Sequence, residues 1–450
     1  MENSSNFYNY LFRVKLSVPL LSMSFIPVGS VNNSAIEVDR PNIIIIMADD
    51  LGYGDIGCYG NDHIKTPVLN KMAEEGITFT DFYSNGPVCT PTRAALITGN
   101  YQQRAGLEGV LYVAIDQRKY GISTSEITMA ELFSESGYKT GLFGKWHLGY
   151  KPENNPVNHG FDEFYGFISG NIDYISHRDG ANIHDWWHNT DTIHEKGYLT
   201  DLITDKALSF MDNRNDNPFL LYLSHAAPHF PFQGRNDKAD RLPGKNFESH
   251  GSRPDKKQAY KEMVEIMDEN IGRVFRKVKE LGLEEKTFIF FFSDNGALNL
   301  GSNGDLKGFK TSLWEGGIRV PAIVWYPEKI NGGTSTTSPV LTMDILPTLL
   351  SVAGIEHETQ FDGKDFSEVL FSQKEMEERP LFWRYRNQWA VRKGNWKYLR
   401  IDEDEYLFDL VDDIQETINL KDTYPGVILE LKNLLTDWEN EMAKYEQITN

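Results

Sequence analysis

The chain has 450 residues, with 45 basic and 65 acidic side chains, a formal net charge of −20 and a mean hydropathy of −0.45. A surface this acidic repels nucleic acid, anionic membranes and long polyanions, so an anionic substrate needs a locally basic pocket. Two cysteines, Cys58 and Cys89, are too few for a disulfide framework.

In chain order, Arg13 and Lys15 precede the apolar stretch LSVPLLSMSFIPVG, so residues 1–35 read as an export leader or a disordered tail. Export would place the mature protein in the periplasm or outside the cell. No later segment approaches the ~18 apolar residues of a membrane helix. Four apolar runs follow: NIIIIMA (42–48), TGLFG (140–144), FLLYLS (219–224) and TFIFFFS (287–293). Helical patterns separate them at 66–76, 128–137 and 255–282. Buried strands alternating with amphipathic helices predict an α/β fold, with a large, mainly parallel central sheet flanked by helices. The charged stretch SQKEMEERP closes this part near residue 372. Residues 36–372 are thus read as one α/β domain. Residues 373–450 are read as a small α+β unit, with aromatic antiparallel hairpins followed by one helix.

The segment SNGPVCTPTRAALITG (84–99) predicts a helix with Pro91 in its first turn, Gly99 as its stop and Cys89 just before its start. Free N–H groups and the helix dipole favour negative charge there, and Arg93 lies one turn on. A lone cysteine is commonly a small buried apolar residue; here it is also a candidate nucleophile, or the precursor of one, facing an anion. A tyrosine-phosphatase loop requires a longer, glycine-bearing Cys-to-Arg spacing.

Ligands of open α/β sheets bind beyond the carboxyl ends of the strands. The four runs end in Asp49-Asp50, in Lys145 and His147, in His225 and His229, and in Asp294-Asn295. Asp49, Asp50, Asp294 and Asn295 make a hard oxygen set that suits calcium before magnesium, and no Cys/His cluster has zinc spacing. With Arg93, Lys145, Lys310 and the histidines, such a site suits an anionic tetrahedral group.

CTPTR resembles the Cys-x-Pro-x-Arg signature of the type I sulfatases, within the alkaline phosphatase superfamily. ADDLGYGDIGCYG, GKWHLG, APHFPF, SDNG, KGFKTSLWEGGIRVP and AVRKGNWKYL are similar to further family segments across roughly residues 41–420. The resemblance implies that a formylglycine-generating or radical maturation enzyme oxidises Cys89 to formylglycine. One hydroxyl of the hydrated aldehyde attacks sulfur, and the second later expels sulfate, which a serine could not do. It implies metal ligands Asp49, Asp50, Asp294 and Asn295 together with residue 89. Arg93 and Lys145 would hold the formylglycine oxygens, His147 would be the base for sulfate release, and His229 and Lys310 would bind sulfate and protonate the leaving group. Lys307 is the alternative to Lys310. His225 falls outside the matched pattern and reads as structural; Cys58 reads as a buried free thiol.

Residues 170–189 hold His177, Arg178, Trp186 and Trp187. They are candidates for stacking on and binding a sugar at the pocket mouth, the alternative being a satellite core under a long loop. The expected substrate is a sulfated mono- or oligosaccharide, with galacto-configured sugars among the candidates, attacked at terminal sulfates. Rival readings are a phosphodiesterase or phosphonate monoester hydrolase on the same scaffold, and an inactive binder of sulfated glycans.

Overall fold

A computed structural model describes residues 40–214 and 217–445; the expected leader, residues 1–35, lies outside the described residues. The four apolar runs form the strands Asn42–Ala48, Lys139–Lys145, Phe219–Ser224 and Thr287–Ser293, at the centre of a ten-stranded sheet. Asn42–Ala48 pairs in parallel with both Phe219–Ser224 and Thr287–Ser293, Ile43 lying opposite Leu220 and Phe288. Lys139–Lys145 and then Glu163–Phe167 continue the parallel order on the far side. Ala322–Trp325 runs antiparallel to both of its neighbours, which makes the sheet mixed.

Alternate residues of the isoleucine run serve opposite faces. Ile43 and Ile45 share a core with Ala94 and Leu96 of the helix Cys89–Thr98, with Met129 and Phe133, and with Leu346 and Leu349. Ile44 and Ile46 pack against Met72, Ala207, Met263 and Val264. Those last residues belong to the helices Pro67–Glu75, Leu199–Asp212 and Lys256–Glu280. The long helix buries Ala259, Met263, Met267, Ile271, Val274 and Val278, one stripe at helical spacing. The helix Leu199–Asp212 is additional to the sequence expectation.

The aromatic tail forms a four-stranded antiparallel sheet, Leu381–Tyr385, Gln388–Lys393, Trp396–Ile401 and Asp404–Asp409, paired in sequence order. The helix Pro425–Met442 follows and buries Leu431, Leu435 and Trp438. The same cluster includes Tyr83, Val88 and Ala95, so this sheet shares a core with the segment that carries Cys89.

One glycine governs how closely two central strands approach. Gly144 has φ +115°, and a Cβ there would lie 1.9 Å from the Ser224 carbonyl oxygen. Only glycine lets this strand deliver Lys145 beside the end of its neighbour.

Candidate active site

The site lies at the carboxyl ends of the central strands. Asp49 is fixed by its N–H donating to the Ala227 carbonyl at 3.0 Å. Asp50 adopts a left-handed φ of 69°, and its N–H donates to Asp294 Oδ1 at 3.1 Å. The first and fourth strands are hydrogen-bonded neighbours, so residues 49–50 and 294–295, distant in sequence, meet directly.

Cys89 opens its helix rather than preceding it, with Val88 as the N-cap residue. Its Sγ lies 3.4 Å from Asp49 Oδ1 and 3.4 Å from Lys310 Nζ. Gly99 ends the helix at φ 67°, as the sequence predicts. Arg93, on the inward face, donates from Nη2 to Asp294 Oδ2 at 2.8 Å and from Nε to the same oxygen at 3.2 Å. Its Nη1 donates to Ser224 Oγ at 2.6 Å and to the Lys145 carbonyl at 3.2 Å. Lys145 Nζ meets Asp49 Oδ2 at 2.6 Å, and Lys310 Nζ meets Asp50 Oδ1 at 2.6 Å.

Three buried carboxylates therefore face three cations in one nonpolar shell. Burial opposes the Asp50 charge, but the Lys310 ammonium beside it brings its carboxyl down to about 2. Burial and the adjacent Asp49 carboxylate hold Asp294 above its usual range against Arg93 and Lys145. Burial pushes the Cys89 thiol up to about 12, although Lys145 and Lys310 pull the other way. An unmodified Cys89 is then a neutral thiol at physiological pH, a poor nucleophile.

Burial disfavours the charged form of both histidines at the site. Burial takes His229 down to about 3 despite Asp50, and it takes His147, next to Lys145, well below the usual imidazole range. His147 Nε2 lies 2.9 Å from the Leu111 carbonyl. That oxygen can only accept, which assigns the proton to Nε2 and a lone pair to Nδ1. By the same reasoning His229 Nδ1–H donates to the Phe230 carbonyl at 2.8 Å, leaving Nε2 to face Asp50 Oδ2 at 3.6 Å.

The residues fit a hard divalent cation. Asp50 Oδ2 and Asn295 Oδ1 are buried and, among the described residues, take no hydrogen bond. Ligand atoms of Asp49, Asp50, Cys89 and His229 lie within 4.8 Å of one another. Asn295 is held in place by its Nδ2 donating to Asp50 Oδ1 at 2.8 Å. Asp294 belongs to the same cluster of charges, but its oxygens are engaged by Arg93 and the Asp50 N–H.

The remaining candidates divide. Lys310, and not Lys307, faces Cys89; Lys307 is exposed, its Nζ donating to the Glu416 carbonyl at 3.1 Å and sitting 3.6 Å over the Trp314 ring. His225 is fully buried, and neither ring nitrogen has a partner among the described residues. Cys58 is a free thiol but only half-buried. The sugar-stacking reading of Trp186 and His177 is corrected: Trp186 is completely buried, edge-on to Tyr165, and His177 stacks on it at 4.9 Å. These rings are the satellite core. Arg178 spends its guanidinium on Asn182, and Trp187, half-buried, donates Nε1–H to Asp185 at 2.6 Å. The segment does touch the site, through other residues. A Cβ on Gly170 would lie 2.5 Å from His147 Nε2, and Tyr174 donates its hydroxyl to the His229 carbonyl at 2.9 Å. Sequence reasoning also missed Ser224 and the Leu111 carbonyl. Ser224 sits at the end of an apolar run, whereas Leu111 carries no chemical signal at all.

A mixed sheet with acidic residues at two adjacent strand ends, and a helix N-terminus aimed between them, makes a site suited to an anionic tetrahedral group. The Sulfatase family model matches residues 41–355, and the model for the C-terminal region of N-sulphoglucosamine sulphohydrolase matches residues 308–441. The chain belongs to the sulfatase family, the hydrolases of sulfuric esters. It is 33% identical to the N-acetylgalactosamine-6-sulfatase of Mus musculus over 386 residues, covering 79% of this chain and 71% of that one. It is 30% identical to the steryl-sulfatase of Homo sapiens, covering 84% and 77% of the two chains. Among solved structures, Ps i-CgsB in complex with k-i-k-neocarrahexaose superposes with a TM-score of 0.81 at 30% identity, over 89% and 92% of the two chains. Among the described residues no helix is long and apolar enough to cross a membrane.

Proposed function

We propose that this sulfatase removes terminal sulfate esters from mono- or oligosaccharides, with galacto-configured sugars as the favoured class, using a formylglycine derived from Cys89 and one bound calcium. The observation that carries the reading is the placement of Cys89 at a helix N-terminus, 3.4 Å from both Asp49 Oδ1 and Lys310 Nζ. When present, the hydrated aldehyde supplies two hydroxyls at that position, and the cation supplies positive charge to the sulfate oxygens. Asp49, Asp50 and Asn295 are placed to hold the ion, with Asp294 beside them.

The chain's own groups then have distinct tasks. Arg93 and Lys145, anchored to Asp294 and Asp49, hold oxygens on residue 89 and on sulfate. The Nδ1 lone pair of His147 accepts the proton released when sulfate is expelled. Lys310 keeps its ammonium because Asp50 and the other anions around it outweigh burial, so it holds a proton where the leaving alcohol needs one. The three carboxylates balance Arg93, Lys145 and Lys310, so a divalent ion leaves the pocket positive within an acidic protein. That contrast favours a single sulfate group at the end of a chain over a polyanion lying along the surface. The relative named for N-acetylgalactosamine-6-sulfate supports the sugar class.

The test pairs chemistry with composition. Active enzyme, unalkylated, is digested and residues 84–104 are weighed, while turnover is measured on an aryl sulfate, aryl phosphate esters and defined sulfated mono- and disaccharides. The aldehyde fraction at residue 89 should rise with specific activity, and sulfate esters should be preferred over phosphate esters. Full activity with an alkylatable Cys89 thiol would overturn the mechanism.

A further inference from the structure

The first hairpin of the C-terminal sheet turns at Arg386 and Asn387, between Tyr385 and Gln388, which pair across it. Arg386 occupies a left-handed φ of 54°, at a turn position usually given to glycine, asparagine or aspartate. A bulky residue kept in that conformation points to a role for its side chain. Arg386 is exposed, and among the described residues no carboxylate lies within ion-pair distance of it.

Its guanidinium is nevertheless held. Nη2 donates to the Tyr112 hydroxyl at 3.3 Å, and the group lies 5.1 Å over the Tyr385 ring. Tyr112 is 42% exposed and follows Leu111, whose carbonyl accepts a hydrogen bond from His147 Nε2–H and whose N–H donates to Thr90 Oγ1 at 3.2 Å. On its other side the hairpin reaches the Lys310 loop, where Gln388 Nε2 donates to the Thr311 carbonyl at 2.9 Å. Phe309, 45% exposed, lies on that loop next to Lys310. The buried Tyr385 hydroxyl lies within electrostatic range of Arg386, Tyr112, Lys310 and Cys89. The hairpin turn therefore touches both the Leu111–Tyr112 segment and the Lys310 loop, with the exposed Arg386 on the Tyr112 side.

We propose that Arg386, braced by Tyr112, forms an anion-binding subsite outside the sulfate pocket, taking a carboxylate or a second sulfate on the sugar next to the one being desulfated. The inference rests on the sulfatase reading above and deepens it: the substrate carries at least two anionic groups. A guanidinium pairs bidentately with either oxyanion. The Tyr112 and Phe309 rings offer apolar faces to the sugar between the two anions.

The test uses full-length wild type, R386A and R386K. Substrates are an aryl sulfate and three disaccharides with the same scissile sulfate, whose second sugar is neutral, carries a carboxylate or carries a second sulfate. Wild type should prefer the doubly anionic disaccharides over the neutral one. R386A should reduce that preference about tenfold, chiefly through KM, and R386K should restore part of it. The carboxylate and sulfate arms report which anion is preferred. An unchanged preference in R386A, or a loss of the same factor on all four esters, overturns the subsite. Calorimetric titration of the doubly anionic disaccharides into wild type and R386A reads the subsite without turnover. A wild type that hydrolyses no sulfate ester but binds these ligands more tightly than R386A would count against the sulfatase reading alone. Equal binding by the two proteins would count against the subsite alone.

Discussion

Gln388 grips the Lys310 loop at two points: its Nε2 donates to the Thr311 carbonyl, and its Oε1 accepts from the Leu313 N–H, both at 2.9 Å. A strand of the C-terminal sheet thus sets the shape of a loop that carries a lysine of the active site. Thr311 needs that support, because it holds a left-handed φ of 74°. Gln388→Ala removes both bonds; the Thr311 carbonyl is exposed and can turn to water, while the part-buried Leu313 N–H loses its partner, so the loss should be about 1 kcal/mol. We expect kcat on an aryl sulfate to fall about tenfold or more with little change in KM. Gln388→Glu, which keeps only the acceptor, should recover part of the loss. Steady-state kinetics on both variants check this, and a loss confined to thermal stability would contradict it.

Lys145 and Asp49 are both fully buried and 2.6 Å apart. Lys145→Ala leaves the aspartate charge without its nearest partner, which typically costs about 3–5 kcal/mol. Denaturant melts should show the loss in chelator. They should show a smaller one in calcium, because an ion held by Asp49 replaces part of the missing positive charge. The same loss under both conditions would place Asp49 outside the metal site.

Calcium removal should itself be visible without a substrate. An ion bound only by the folded chain adds about 2.7 kcal/mol when it exceeds its Kd about a hundredfold. Chelation should lower the melting temperature by several degrees and abolish turnover, and added calcium should restore both better than magnesium or zinc. Stoichiometric zinc in the active protein, found by elemental analysis, would contradict the oxygen-ligand assignment.

A pH effect should come from a cluster away from the site. Lys397 is fully buried between Glu315 and Glu416, with both contacts at 2.8 Å. Glu315 also pairs with Arg319 Nη1 at 3.3 Å, whereas Glu416 has Lys397 alone among the ion pairs of the described residues, and burial raises it from 4.5 to about 7. The raised carboxyl stays protonated in the fold while the unfolded chain releases its proton, so this residue costs stability as pH rises through that interval. The difference in melting temperature between wild type and Glu416→Gln should therefore move in favour of the variant between about pH 4.5 and 7. A constant difference across that range would assign the charge elsewhere.

The convergence of the candidate site residues was legible because a parallel sheet converts four separate apolar runs into one edge. Asp49, Lys145, His229 and Asp294 could be grouped from the ends of those runs alone, and Arg93 follows from the one-turn spacing to Cys89. What contacts the pocket from loops was not legible. Leu111, Gly170 and Tyr174 act through a carbonyl, a missing side chain and a hydroxyl, none of which marks a sequence. Trp186 and His177 misled for the opposite reason: conspicuous residue types in an aperiodic segment proved to be filling a core. Arg386 and Gln388 lie in a hairpin whose aromatic alternation announces only a strand, and their importance appears once tertiary packing sets that hairpin against the pocket.

Cys89 is 3% exposed, on a helix whose every residue is buried, and Asp49 and Lys310 close over its sulfur. No second protein could grasp the surrounding pentapeptide in an extended form once this helix has packed. Any enzyme that converts the thiol must therefore work on the nascent or unfolded chain, in a race against a sheet whose central strands wait for residues near 290 to be synthesised. The long separation between residue 89 and its closing strand, which makes the fold slow to complete, keeps that window open.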